Sequence, residues 1–119
     1  MQDAVANKPA AETWRRLGIL RRKEDRLAEA EAMYLRAIER DPSLAEAHYN
    51  LGNLYFALLR YDPAAEEYGK VLNLRADHAG AYRNLGDLHM EQGRYEAAAQ
   101  VWSRGLRLVP GEVIFYYGL

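Results

Sequence analysis

Hydrophobic positions along this chain recur in helical steps. Between Ala45 and Leu58, the residues Tyr49, Leu51, Leu54, Tyr55 and Leu58 stand among helix-forming neighbours at three- and four-residue spacings, not at every second residue. This predicts an amphipathic helix. Asp62 followed by Pro63 predicts the start of a second one, with the Asp62 carboxylate as N-cap and the proline where a helix needs no N–H. That partner runs to about Leu74. Gly93 separates the same two helices further along, and Glu24-Asp25-Arg26 occupies the corresponding turn near the start. Asp41-Pro42 and Val109-Pro110 are expected to end helices, because proline pushes its predecessor out of helical geometry.

The pattern repeats. Trp14, His48, Tyr82 and Tyr116 are each 34 residues apart, and so are Leu17, Leu51, Leu85 and Leu119. Gly18, Gly52 and Gly86 keep the register, as do Ala30, Ala64 and Ala98, then Tyr34, Tyr68 and Trp102. No gap is needed. The chain therefore reads as a leader over 1–10 and three helix pairs over 11–44, 45–78 and 79–112. Residues 113–119 open a fourth pair, or partly cap the third. A glycine inside a helix costs roughly 1 kcal/mol against alanine. Three of them in one register imply a steric need, met by a large side chain or a neighbouring backbone. The periodic alanines mark close helix contacts, and Trp14, Tyr34, Tyr68, Tyr82 and Trp102 supply core area.

Trp14-x-x-Leu17-Gly18, Ala30, Tyr34, Ala37 and Pro42 resemble the tetratricopeptide repeat (TPR) signature, with Arg21 in place of a tyrosine. The resemblance covers all three units, with His48 and Tyr82 for the tryptophan and Val71 and Gly105 for the second alanine. It implies an all-α, right-handed superhelix of antiparallel helix pairs whose first helices line a concave groove. It further places Glu12, Arg15, Arg16, Ile19, Arg22 and Lys23 of the first unit at that groove. From the second come Glu46, Tyr49, Asn50, Asn53, Phe56 and Ala57, and from the third Gly80, Arg83, Asn84, Asp87, Met90 and Glu91.

Chemistry then narrows the choice. Arg15, Arg16, Arg22 and Lys23 make one end of the groove basic, suited to carboxylates of an acidic segment. Asn50 and Asn84, at one position in successive units, can bond a ligand's backbone through amides that donate and accept. This is similar to the asparagine ladder of the TPR superhelix in the enzyme that adds N-acetylglucosamine to proteins. Tyr49, Asn53, Phe56, Arg83 and Tyr117 complete the expected floor. The family's clamp for chaperone C-terminal tails is incomplete here. Arg15 and Asn50 match it, but Ile19, Gly80 and Asn84 do not.

Composition removes other classes. The net charge is −1, half the residues are hydrophobic, and there is no cysteine. Disulfides and thiolate metal sites are excluded. No apolar run is long enough to span a bilayer, and residues 1–10 lack a secretory core. These features fit a reducing, cytoplasmic setting without membrane insertion. His48, His78 and His89 have no metal-ligand spacing, and no phosphate-loop or nucleophile-elbow motif surrounds Ser43 or Ser103. No catalytic residue, metal or cofactor is expected. The reading is a protein-interaction module binding a peptide or partner helix. One alternative is self-association through the apolar segment 113–119, against which Val101, Trp102 and Leu106 would rest. A lesser one is RNA binding through Arg15, Arg16, Arg21, Arg22, Lys23 and Arg26.

Overall fold

The computed structural model describes residues 4–109. Six helices follow one another: α1 (Ala4–Lys23), α2 (Leu27–Arg40), α3 (Ala45–Ala57), α4 (Tyr61–Leu74), α5 (Ala79–Glu91) and α6 (Tyr95–Leu108). No strand occurs among the described residues. Each odd helix packs chiefly on the even helix after it, and α2 meets α3 as α4 meets α5. The first helices α1, α3 and α5 also touch in that order. The result is a stack of three helix pairs measuring 44 × 30 × 21 Å.

The turn inside each pair is the same device used three times. Asp25, Leu59 and Gly93, spaced by 34 residues, adopt φ of 62°, 63° and 75°. A single left-handed residue reverses the chain after the first helix. Arg26, Arg60 and Arg94 then return their amides to Arg21, Tyr55 and His89 carbonyls at 2.8 Å. Between pairs, Asp41 and Arg75 leave the helix in extended geometry, with φ of −146° and −139°. Ala76 follows Arg75 where Pro42 follows Asp41. The break therefore forms with or without the proline.

The glycines have the steric reason their spacing implied. A Cβ on Gly18 would stand 2.5 Å from the Tyr34 ring, and one on Gly52 would stand 2.9 Å from Tyr68. On Gly86 it would run into the Trp102 indole. Ala30, Ala64 and Ala98 are wholly buried, as are the rings of Tyr68 and Tyr82. Trp14 is only partly covered, and the Arg36 guanidinium lies 5.0 Å over its ring.

Two expectations change. Residues 4–10 do not stand apart as a leader. They continue α1 through Pro9, in an alanine-rich stretch where the Thr13 hydroxyl donates to the Pro9 carbonyl at 3.0 Å. Asp62 is not the N-cap of α4 either. The left-handed Leu59 turn starts the helix two residues earlier, at Tyr61, with Arg60 as its cap. Asp62 and Pro63 fall in the first turn, where a carboxylate suits the helix dipole and a missing N–H costs nothing. Residues 110–119, with Tyr117 and the expected fourth helix, lie outside the described residues.

Candidate binding groove

The groove is built by three first helices and closed at the bottom by Tyr68 of α4. Its central hollow has a volume of about 440 Å³ and is lined by Arg22, Asn53, Phe56, Ala57, Leu59, Tyr68 and Asn84. These residues come from all three pairs. Phe56 is half-buried and meets the Tyr61 ring edge-on at 5.8 Å. It is both a packing residue and a wall of the hollow. Leu59, at its mouth, is 69% exposed.

A polar network ties the helices beneath this surface. Asn84 Nδ2 donates to Asn53 Oδ1 at 2.8 Å and to the Tyr49 hydroxyl at 3.1 Å. Arg83 Nε donates to Asn84 Oδ1 at 3.1 Å, and the Tyr68 hydroxyl donates to Asn53 Oδ1 at 2.5 Å. Burial drives the Tyr68 phenol well above its ordinary value. It therefore stays a neutral donor. Tyr49 is held by contacts with Tyr68 and with His78, whose ring centre is 4.6 Å away. Gly80 leaves the space that the Tyr49 hydroxyl fills, 2.5 Å from where a Cβ would be.

This network redistributes the amides. Asn84 spends both its donors and its acceptor on neighbours. Asn50 accepts from Arg15 Nη1 at 2.9 Å through its oxygen, and its NH₂ donates to nothing among the described residues. Asn53 receives two bonds on its oxygen, leaving its NH₂ likewise unspent. The unspent amide donors thus belong to Asn50 and Asn53, one helical turn apart on α3, and of the two Asn53 lines the hollow. The sequence register had paired Asn50 with Asn84 instead.

The basic residues also separate into two kinds. Arg15 is 18% exposed at its side chain and forks onto Glu12 at 2.6 Å, besides holding Asn50. The Glu12 hydrogen bond raises the Arg15 pKa against the opposing cost of burial. Arg16 is 76% exposed and reaches Glu12 at 3.2 Å. Arg21 and Arg26 pair with Glu24 and Glu29. Arg22 and Lys23 form no ion pair among the described residues. The basic cluster of the sequence is therefore two unpaired cations beside a self-neutralised frame. On α5, Asp87 and Glu91 form no ion pair among the described residues either. Burial raises the Asp87 pKa, Arg83 counteracts this and Glu91 adds to it.

Further features invisible in the register involve His48 and His78. His48 is buried and bonded through both ring nitrogens, to Glu67 Oε1 at 2.7 Å and to the Pro42 carbonyl at 2.9 Å. Lys70 reaches the other Glu67 oxygen at 3.3 Å. His48 replaces the larger ring of the other units, and a second hollow of about 400 Å³ opens beside it between α2 and α4. His78 caps α5, its Nδ1 accepting from the Ala81 amide at 3.0 Å and its Nε2 meeting Glu46 at 2.8 Å. Histidine is outside the usual capping set, so composition gave no sign of this role. Among the described residues no three acidic or histidine side chains gather to hold a metal, and no helix is long and apolar enough to cross a membrane.

The chain matches family models for the tetratricopeptide repeat over residues 49–113 and for the TPR repeat over residues 18–58. No match was found among curated proteins. Among solved structures, it superposes on the Arabidopsis OM64 TPR domain with a TM-score of 0.85 and 21% identity, over 94% of this chain and 93% of the other. The first TPR of Spaghetti (RPAP3), bound to the HSP90 peptide SRMEEVD, gives a TM-score of 0.83 and 21% identity over 92% and 89%. MamA gives a TM-score of 0.80 and 26% identity, over 82% of this chain and 54% of that one. With more than half its length matched, this chain belongs to the tetratricopeptide-repeat family.

Proposed function

We propose that this protein is an interaction module that holds a segment of a partner protein in the groove of α1, α3 and α5. The observation that carries the reading is the central hollow, to which all three helix pairs contribute and which is lined by Arg22, a cation with no ion-pair partner among the described residues. An apolar hollow with a few convergent polar groups is the usual form of a recognition site. The unspent amides of Asn50 and Asn53 add donors suited to a ligand's backbone carbonyls. The RPAP3 domain of similar fold is bound to a peptide with adjacent acidic residues. That supports an acidic segment at the Arg22–Lys23 end. It does not extend to chaperone tails, since Ile19, Gly80 and Asn84 replace the groups that grip them.

Phosphate binding is less well supported. Four of the six basic residues in the α1 cluster are already neutralised by Glu12, Glu24 and Glu29. Affinity capture with quantitative mass spectrometry tests the main reading, using the wild type beside Arg22→Glu/Lys23→Glu. The two residues are on the surface of an otherwise paired helix, so the fold is retained. A direct partner should be depleted by the variant. Hydrogen exchange of the purified complex should slow in α1, α3 and α5. Protection confined to α2, α4 and α6 would refute the groove as the site.

A further inference from the structure

The groove carries charge of both signs, and the two signs are kept apart. Arg22 and Lys23 end α1, while Asp87 and Glu91 lie on α5. Helix α3 separates the two, and none of the four has an ion-pair partner among the described residues. The Tyr68 hydroxyl on the floor feels the Arg22 cation and the Asp87 anion together. Arg22 lines the central hollow, and on α5 Asp87 and Glu91 follow Asn84, which also lines it, by three and seven residues on one helix face. Unpaired opposite charges facing one groove select both the partner and its direction.

The hollow between them is apolar where Phe56 and Leu59 line it. Leu59 is an exposed leucine held at φ 63°. A left-handed non-glycine residue costs about 1 kcal/mol or more, and glycine serves at the same position in the third pair.

Resting on the groove reading above, we propose that the ligand is a charge-polarised protein segment. A carboxylate lies toward Arg22 and Lys23, an aliphatic side chain fills the hollow against Phe56 and Leu59, and a cationic side chain lies toward Asp87 and Glu91. The fixed order makes binding directional. Turning the bound segment end for end would set like charges against each other at both ends.

Three synthetic peptides of one composition test this: Glu-Glu-Gly-Leu-Gly-Lys-Lys, its reverse Lys-Lys-Gly-Leu-Gly-Glu-Glu, and the mixed Glu-Lys-Gly-Leu-Gly-Glu-Lys. Each is labelled with fluorescein and titrated by anisotropy at low salt. Both block orders, each lying in the chain direction that sets its glutamates at Arg22 and Lys23, should bind roughly tenfold more tightly than the mixed peptide. Salt should erase the difference. The exchange Arg22→Glu/Lys23→Glu/Asp87→Lys/Glu91→Lys should keep the preference for block peptides but turn each bound peptide end for end, read by which of α1 and α5 a spin label at the peptide N-terminus broadens. The milder Arg22→Gln/Asp87→Asn should weaken the preference while leaving circular dichroism unchanged. Equal binding of all three peptides, no binding of any, or an exchange that leaves the bound orientation unmoved would overturn the proposal. Amide shift mapping separates the two readings. Equal binding with shifts on α1, α3 and α5 leaves the groove intact and removes only its polarity. Shifts confined to other helices remove both.

Discussion

Single residues in this protein carry energies that the repeat pattern does not show. Leu59 and Gly93 do the same job in successive turns, and only glycine does it without strain. Leu59→Gly should therefore raise stability by about 0.5–1 kcal/mol, read by urea denaturation. Gly93→Ala should lower it by about 1 kcal/mol, since nothing but the backbone angle opposes the new methyl group. His48 and Glu67 are a second residue-scale case. The Glu67 hydrogen bond holds the His48 pKa above its ordinary value of 6.5, against the cost of burial. Burial pushes Glu67 up, but the bond from His48 and the nearby Lys70 charge hold it below its ordinary 4.5. The histidine's contribution is complete below pH 6.5 and fades as pH rises through its raised folded value. The glutamate's contribution is present above 4.5 and fades as pH falls through its lowered one. Stability should peak between those limits and decline on the alkaline side. His48→Tyr with Glu67→Val, which copies Tyr82 and Val101 of the third pair, should flatten the alkaline decline in denaturation curves taken from pH 5 to 9. A decline of the same size in that variant would place its origin elsewhere.

At the scale of a helix, the same substitution has opposite signs at two glycines. Gly69 in α4 has nothing within 4 Å of where a Cβ would stand, whereas Gly86 in α5 faces the Trp102 indole. Gly69→Ala should stabilise by up to about 1 kcal/mol through helix propensity alone. Gly86→Ala should destabilise by roughly 1–3 kcal/mol, because an overpacked core must shift a buried ring. Thermal melts of the two variants check the pair. Both signs can be argued from the sequence only in part. Gly86 sits in the 34-residue register and Gly69 does not, and this difference pointed to a tight contact at the first. The helix pairs, the aromatic core and the small-residue contacts were legible for that reason: each repeats, and periodicity exposes it. The polar links were not. Glu67 stands where the other units have Met33 and Val101, so no register marks its bond to His48. Asn84 shares Asn50's position, yet it turns inward because Tyr49 and Asn53 offer it partners. Arg15 and Arg22 looked alike as groove cations. Glu12, one turn before Arg15, neutralises the first and cannot reach the second.

In the whole molecule, a residue's worth depends on its place in the stack more than on its identity. Leu20, Leu54 and Leu88 hold one position in α1, α3 and α5. Leu54 and Leu88 are fully buried, while Leu20 is 47% exposed. The difference is the preceding pair. Leu54 packs into the cluster of Ala30 and Tyr34 from the first pair, and Leu88 into that of Ala64 and Tyr68 from the second. No described helix pair precedes α1 to cover Leu20. Stacked repeats gain stability from interfaces between neighbours as well as from each unit. Truncating Leu54 or Leu88 to alanine should therefore cost about 2–5 kcal/mol, with the cavity opening at a joint between pairs. Truncating Leu20 should cost less than about 1 kcal/mol, because much of its apolar area is already in water. Denaturant titrations of the three variants, followed by tryptophan fluorescence, read both ends of the stack. Trp14 reports on the first pair and Trp102 on the third. For Leu54→Ala the Trp14 and Trp102 transitions should separate, since the altered joint lies between them. Equal losses at Leu20 and Leu54 would mean that a further surface covers α1 in solution.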